Sequence, residues 1–177
     1  FETAVGLLDS QGFELSHDQL PEGAAQLPAL QGLVAQFEMT SSLRPRLVEH
    51  ADSIEKVLAE KMAEGAGISH ESYWSAVARI DSTRAAVQAL FSDGSVMITP
   101  ATMGIAPPAE QGTGDSTFNR PWSVLGNPVI SVPVATDSRT GLPLSVQLIG
   151  RMGSDLGLIQ AAQQLWRLVS LERIVLG

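Results

Sequence analysis

The spacing of apolar residues changes once along the chain, near residue 92, and this change limits the fold. Up to residue 92, apolar residues recur at helical spacing, whereas from residue 93 they form short runs separated by Pro and Gly. Helices followed by strands with covering helices predict an α/β or α+β architecture. We therefore expect a single partial domain over residues 1–177, mainly helical in 1–92, with strands and helices in 93–177.

The first half is predicted to hold four helices and one short strand at residues 13–15. The second helix opens near Pro28 and runs towards Leu43, and Pro45 separates it from the third. Ser69 is the predicted N-cap of the fourth helix. The first helix has its apolar face at Phe1, Ala4, Val5 and Leu8, and the third has a stripe at Leu47, Ala51, Ile54, Leu58 and Met62.

The second half is predicted to hold three strands, at residues 96–98, 129–134 and 144–149. Residues 100–117 read as a loop, residues 120–125 as a short helix, and residues 137–141 as a turn. A last helix starts at Ser154 and Asp155. Its inward side is predicted to be Leu158, Ile159, Ala162, Leu165, Trp166 and Val169. Helices would thus pack on a small mixed sheet, and so few strands predict further strands from another part of the protein.

The first residues also bear on the organisation of the protein. The chain opens at Phe1 inside an amphipathic helix and has no initiator Met. A trimmed or mature terminus would explain this start. We favour a piece cut from a longer protein.

Composition excludes several classes of function. The apolar fraction of 44% and the charged fraction of 17% are typical of a folded domain. A net charge of −8 disfavours direct binding to nucleic acid. Cysteine is absent, which excludes disulfides and thiolate metal sites and is compatible with the cytoplasm, our expected location. No apolar run is long enough to span a bilayer, so no membrane partner is expected.

Four segments of the second half follow a familiar order. They are Ser95-Val-Met-Ile-Thr-Pro-Ala-Thr102, Trp122-Ser-Val-Leu-Gly-Asn-Pro128 with Val129 to Pro133, residues 141–150, and the helix from Asp155. Together they resemble the C-terminal region of the amidase-signature family, sharply over residues 93–168. Ser145 departs from the family pattern, which usually has Gly at that position.

The resemblance implies an α/β fold with a mixed sheet and hydrolysis or transfer at a carboxamide C–N bond. The family uses a serine nucleophile, a second serine in a cis peptide, a lysine base and backbone N–H groups that stabilise the oxyanion. This sequence has no Ser-Ser pair flanked by Gly, since Ser41 and Ser42 lie in a predicted helix. Its lysines, Lys56 and Lys61, lie on the polar side of another. No catalytic residue is therefore carried over, and the chain is expected to need a missing N-terminal part.

In the family, the segments present here complete the sheet and form part of the acyl pocket for a small amide substrate. The candidates for the pocket wall are Gly112, Thr113, Gly114, Asp115 and Trp122. Gly permits close backbone approach to a ligand. Two alternatives stay open, namely Trp122 as a core aromatic residue and Asp115 as a turn residue.

Other chemistry finds little support in the sequence. His17, His50 and His70 have no metal-ligand spacing, and no dinucleotide fingerprint or G-x-S-x-G motif occurs, so neither cofactor nor metal is expected. Glu38 is the carboxylate whose burial would be informative. Two hypotheses remain: an amidase piece that works only with its missing part, and a stand-alone non-catalytic domain for binding or assembly. The first predicts an open sheet edge and an apolar patch, and the second a covered edge or a homodimer.

Overall fold

The structure, a computed structural model, describes residues 1–50, 55–172 and 175–176. It divides into two compact units. One unit comprises Phe1–Leu20 with Ala86–Gly177, and the other comprises Pro21–Ala85. Each unit is described by itself.

The Pro21–Ala85 unit is helical. A 3-10 helix at Glu22–Gln26 leads into α2 (Leu27–His50), which is followed by α3 (Lys56–Ala66) and α4 (His70–Gln88). Helix α1 (Glu2–Ser10) belongs to the other unit. Ser69 caps α4, because its Oγ accepts the Ser72 N–H at 3.0 Å, and this confirms the predicted N-cap.

The predicted helix break at Pro45 is wrong. Pro45 lies inside α2, which continues to His50, and the next helix starts at Lys56. A proline in a helix removes one hydrogen bond and crowds the preceding turn, but flanking helical residues can carry the helix past it. Leu47 therefore lies on α2 rather than α3. Of the predicted stripe on α3, Met62 is buried and Leu58 half-buried, while Ala51 and Ile54 lie outside the described residues.

The larger unit contains a mixed sheet. Its elements are β1 (Met97–Pro100), α5 (Arg120–Leu125), β2 (Val129–Asp137), β3 (Pro143–Ile149), α6 (Asp155–Glu172) and β4 (Val175–Leu176). The strand order is β1-β3-β2-β4. Strands β1 and β2 are both antiparallel to β3, and β4 is parallel to β2 at Thr136 and Asp137. This arrangement confirms the predicted α/β fold with helices on a small mixed sheet.

One face of the sheet forms the core of this unit with α1 and α6. The buried residues of the core are Ala4, Leu8, Val132, Val134, Val146, Leu148, Leu158, Ala162, Leu165 and Val169. Phe1, Ile159 and Trp166, which were predicted to point inward, are instead 43%, 44% and 53% exposed. Helix α6 carries apolar residues on two sides, and its stripe at i, i+4, i+7 and i+11 is the buried one.

The connecting segments mostly follow expectation. The predicted strand at residues 13–15 is wrong, because this segment has no regular structure. The predicted loop at residues 100–117 is confirmed from residue 101 onwards, apart from one 3-10 turn at Ala109–Gln111, whereas Pro100 is the last residue of β1. Among the described residues every peptide bond is trans, including those that precede Pro128 and Pro133. No helix in this part of the chain combines the length and apolar character needed to cross a membrane.

Candidate functional site

The loop that was predicted to contribute to a pocket lies between the 3-10 turn at Ala109–Gln111 and α5. Gly112 and Gly114 adopt φ values of 82° and 80°, in the left-handed region that favours glycine. Both glycines, Thr113 and Asp115 are exposed. Sequence order and backbone conformation therefore agree that this loop turns sharply on the surface of its unit.

Asp115 holds the turn together with its carboxylate. Its Oδ1 accepts the Thr117 backbone N–H at 2.7 Å and the Thr117 hydroxyl at 2.6 Å. The pKa of Asp115 is lowered below its ordinary value of 3.8. The bond from the Thr117 hydroxyl is the largest cause, and the bond from the Thr117 N–H and the nearby Arg120 charge act in the same direction. An Asx turn of this kind accounts for an aspartate here without a ligand.

Trp122 has a different environment from the loop residues. It lies in α5 and is 3% exposed, next to the equally buried Leu125 of the same helix. Its burial agrees with the core-aromatic alternative, whereas Gly112, Thr113, Gly114 and Asp115 are exposed. None of these five residues lines either of the two clefts described below. Their role in a substrate pocket stays a prediction.

A buried amide joins this loop to the sheet. Gln147 of β3 is 2% exposed, and its Nε2 donates to Thr99 Oγ1 at 2.9 Å and to the Phe118 carbonyl oxygen at 2.7 Å. Sequence reasoning did not single out Gln147 as a functional residue. The signal that could have found it is a polar side chain between the apolar residues Val146 and Leu148, since a buried amide needs partners.

A second amide network holds the ends of β2 and β3. Asn127 is buried, and its Nδ2 donates to the Gly150 carbonyl oxygen at 2.7 Å. Its Oδ1 accepts from Gln88 Nε2 at 3.2 Å, and Gln88 Oε1 accepts the Met152 N–H at 2.9 Å. The loop after β3 is thereby tied both to the start of β2 and to the end of α4.

Two of the clefts formed by the described residues lie in the larger unit. The first, of about 190 Å³, is lined mainly by apolar groups, with Thr3, Thr102 and Ser145 supplying hydroxyls. The second, of about 450 Å³, lies between residues 92–96 and 151–158 and contains one acid, Asp93, and one base, Arg151. Neither of these two clefts is lined by a lysine or a histidine.

The remaining candidates lie on the helical unit. Glu38, whose burial was in question, is exposed and accepts a hydrogen bond from the Tyr73 hydroxyl at 2.9 Å. This hydrogen bond raises the pKa of Tyr73 above its ordinary value of 10.0. Lys56 and Lys61 are exposed, and Lys56 lies 3.8 Å from Glu60. Within the described ranges, no cluster of His, Cys, Asp and Glu could hold a metal ion.

Comparison with known proteins identifies the family. The Amidase family model matches residues 1–159. The match covers most of the 177 residues, and the chain therefore belongs to the Amidase family. No curated protein matches the sequence significantly.

Solved structures share the fold at low sequence identity. An amidase superposes with a TM-score of 0.78 and 22% identity over 94% of this chain, which spans 41% of that amidase. A 6-aminohexanoate cyclic dimer hydrolase solved with its substrate gives 0.76 and 19%, with 98% of this chain and 41% of that chain covered. The allophanate hydrolase of Kluyveromyces lactis gives 0.81 and 17%, with 95% and 29% covered. The chain thus spans well under half the length of these structures.

Proposed function

We propose that this chain is the C-terminal part of an amidohydrolase that acts on carboxamide C–N bonds, and that residues 1–177 form one partial domain. The Ser, cis-Ser and Lys residues of the family lie in a part of the fold that this chain does not span, so the chain alone is inactive. One observation carries the proposal. The family match covers residues 1–159, yet the chain spans only 41% of the amidase that it resembles.

The position of the lysines supports this proposal. A lysine that accepts protons in catalysis must be held neutral, by burial or by a neighbouring cation. Lys56 and Lys61 are both exposed, and the carboxylate of Glu60 lies 3.8 Å from the Lys56 ammonium group. Ser41 and Ser42 are also exposed, within helix α2. None of these side chains has the environment of an amidase base or nucleophile.

An open sheet edge supports the same proposal. The Gly150 N–H donates to the Pro128 carbonyl oxygen at 2.9 Å, so alternate residues of β2 from Ile130 bond to β3. The backbone groups of Val129, Ser131 and Pro133 therefore point away from β3. Along this edge, β4 pairs at residues 136 and 137 and no other described strand pairs with β2. An edge of this length is a ready site for another strand.

The outer side of α6 adds an apolar surface. Leu156, Ile159 and Trp166 are 71%, 44% and 53% exposed, and they share one side of the helix by their spacing. Met152, just before the helix, is 46% exposed. A group of large apolar side chains on the surface indicates a partner surface. We propose that the rest of the amidase polypeptide covers both this surface and the β2 edge, completing the pocket for a small amide substrate.

Labelling with a fluorophosphonate probe, read by intact mass, tests the proposal. This probe reacts with activated serines. We expect the isolated chain to keep its unmodified mass under conditions in which an intact, active amidase acquires one adduct. Adding the remaining amidase polypeptide should restore labelling, and the adduct should be on that polypeptide. A single adduct on this chain would show that it holds its own activated serine, and the proposal would then be wrong.

The alternative, a stand-alone binding or assembly domain, makes a different prediction about association. Such a domain would cover the β2 edge by forming a homodimer. Light scattering after size exclusion separates the two hypotheses, because a stable dimer that resists dilution favours the assembly domain, and a monomer that binds the rest of the amidase favours the first proposal.

The proposal includes a cytoplasmic location, supported by the absence of cysteine from the sequence.

A further inference from the structure

Two segments that carry the family resemblance, and the loop between them, meet at one buried side chain. Gln147 lies in β3, Thr99 in β1, and Phe118 just before α5, and the amide of Gln147 bonds to both of the others. Thr99 and Phe118 are separated from Gln147 by 48 and 29 positions of sequence. A single side chain therefore connects a sheet, a helix start and the loop that precedes it.

Gln147 is a buried polar residue between apolar neighbours in β3. Gln147 is flanked by the buried Val146 and Leu148, and an apolar residue would satisfy this strand. A buried amide is unfavourable unless its donors find partners. Both hydrogen bonds use Nε2, and its two N–H groups therefore each have a partner. The amide is therefore explained by what it contacts rather than by strand packing.

The two hydrogen bonds of Gln147 connect different parts of the structure. Thr99 and Gln147 are already register partners, and the Ala101 N–H bonds to the Ser145 carbonyl oxygen at 3.1 Å in the same ladder. The bond to Thr99 therefore adds to a connection that the backbone makes without it. In contrast, the bond to the Phe118 carbonyl oxygen is, within the described residues, the one hydrogen bond that joins loop residues 112–119 to a strand.

The other hydrogen bonds of the loop are local. Asp115 bonds to Thr117, the Arg120 side chain bonds to Ser116, and the Asn119 N–H bonds to the Ser116 carbonyl oxygen. These bonds shape the loop but do not fix where it lies on the unit. We propose that Gln147 is a positioning residue that holds residues 112–119 on the sheet and thereby sets the shape of the acyl pocket in the assembled amidase. The second part rests on the proposed function.

Hydrogen exchange on the full 177-residue chain tests the positioning itself. Gln147→Met removes both bonds with little change of shape, and Thr99→Val removes only the bond between strands. We expect the hydrogen-bonded amides of Thr117, Asn119 and Arg120 to exchange about tenfold faster in the Gln147→Met variant, the equivalent of one lost hydrogen bond, with β3 and α6 unchanged. Thr99→Val should leave these amides within about twofold of the parent.

A double variant protects the test against loss of folding. Thr99→Val combined with Gln147→Met replaces both partners between the strands by apolar groups, which is tolerated better than one unpaired group. If Gln147→Met does not fold, loop exchange is instead compared between the double variant and Thr99→Val, which differ only at position 147. Faster loop exchange in the double variant supports the proposal. Equal exchange in the two, or faster exchange that spreads equally over the whole unit, overturns it.

Activity tests the link to the pocket. With the remaining amidase polypeptide added and p-nitroacetanilide as substrate, Gln147→Met should raise KM about tenfold, with kcat within about twofold, while Thr99→Val changes neither. An unchanged KM in active Gln147→Met enzyme overturns the link to the pocket. If the parent assembly has no activity at all, the proposed function fails, and loop exchange still decides whether Gln147 positions the loop.

Discussion

At the residue scale, Asp137 shows how a single carboxylate closes the turn between β2 and β3. Its Oδ1 accepts the Thr140 hydroxyl at 2.7 Å, the Thr140 N–H at 2.8 Å and the Arg139 N–H at 3.2 Å. The bonds from Thr140 are the main reason that the pKa of Asp137 is lowered below 3.8. Because the folded pKa is depressed, the carboxylate contributes stability above pH 3.8, and this contribution is lost as pH falls through the folded pKa.

Asp137→Asn should therefore lower Tm at pH 7, because the amide keeps the shape of the side chain but loses the charge that strengthens these bonds. The difference in Tm from the parent should shrink below pH 3.8, where the parent carboxyl also becomes neutral. Thermal unfolding followed by circular dichroism from pH 7 to pH 2 checks this. Glu14→Gln, a change at an exposed carboxylate in a loop, is the control. A difference that stays constant over the whole range would contradict the prediction.

The residue scale also shows what sequence can and cannot predict. The turn around Asp137 was predicted because its partners, Arg139 and Thr140, lie within three residues of it. Gln147 could not be assigned partners in this way, since Thr99 and Phe118 come near it only when the sheet forms. Trp122 was left between two interpretations, because sequence does not report on which side of α5 the core lies.

At the element scale, elements bounded by strong local signals were predicted well. Helix α5 has the predicted bounds of residues 120–125, with Pro at its start and Gly126 at its end in the left-handed conformation, φ 74°. Helix α2 was cut short at Pro45, because a proline predicts a helix end more often than a passage through it. Ile159 and Trp166 were predicted inward because apolar spacing alone does not separate the two apolar sides of α6.

Packing of α2 against α3 depends on a glycine. A Cβ added at Gly65, which is buried, would overlap Thr40 Oγ1 and lie 2.5 Å from the Gln36 carbonyl oxygen. Because one of these atoms is backbone, Gly65→Ala should force the helices apart and destabilise the protein by about 1–3 kcal/mol. Urea unfolding followed by circular dichroism measures the change.

Gly32→Ala is a matched control for this prediction. Gly32 lies within α2, and an added Cβ there meets nothing within 4 Å. Alanine is the better helix former, so this change should stabilise by about 0.5–1 kcal/mol. Opposite signs for the two substitutions would establish close helix approach at Gly65. If both stabilise, the helices can move apart there at little cost, and the prediction is wrong.

At the scale of the whole molecule, the sequence predicted the family and the size of the sheet better than it predicted the order of the strands. Four segments in the right order predicted the amidase resemblance, and the family match over residues 1–159 confirms it. A small sheet was also predicted, since three apolar runs fix the number of main strands. Which strands have unpaired edges could not be predicted, because this depends on strand order, β1-β3-β2-β4, which links segments far apart in sequence.

The open edge of β2 gives a prediction about assembly. The Ser131 N–H points away from β3, and Ser131 is exposed, so Ser131→Pro removes a donor from the outer edge without breaking a bond to β3. Pro133 already occupies an equivalent outward position on the same strand. If a strand of the remaining amidase polypeptide pairs here, its affinity for the chain should fall about tenfold or more, because one bond is lost and the proline ring obstructs the edge.

Isothermal titration of the remaining polypeptide into the chain measures this affinity, with circular dichroism to establish that the variant keeps the parent fold. Ser131→Ala keeps the backbone donor and should bind within about twofold of the parent, which separates loss of the N–H from loss of the hydroxyl. Equal affinity of the parent and the proline variant would show that β2 is not the docking edge. The exposed side of α6, with Leu156 and Trp166, would then be the surface on which assembly depends, and Trp166→Ala would be the variant that weakens it.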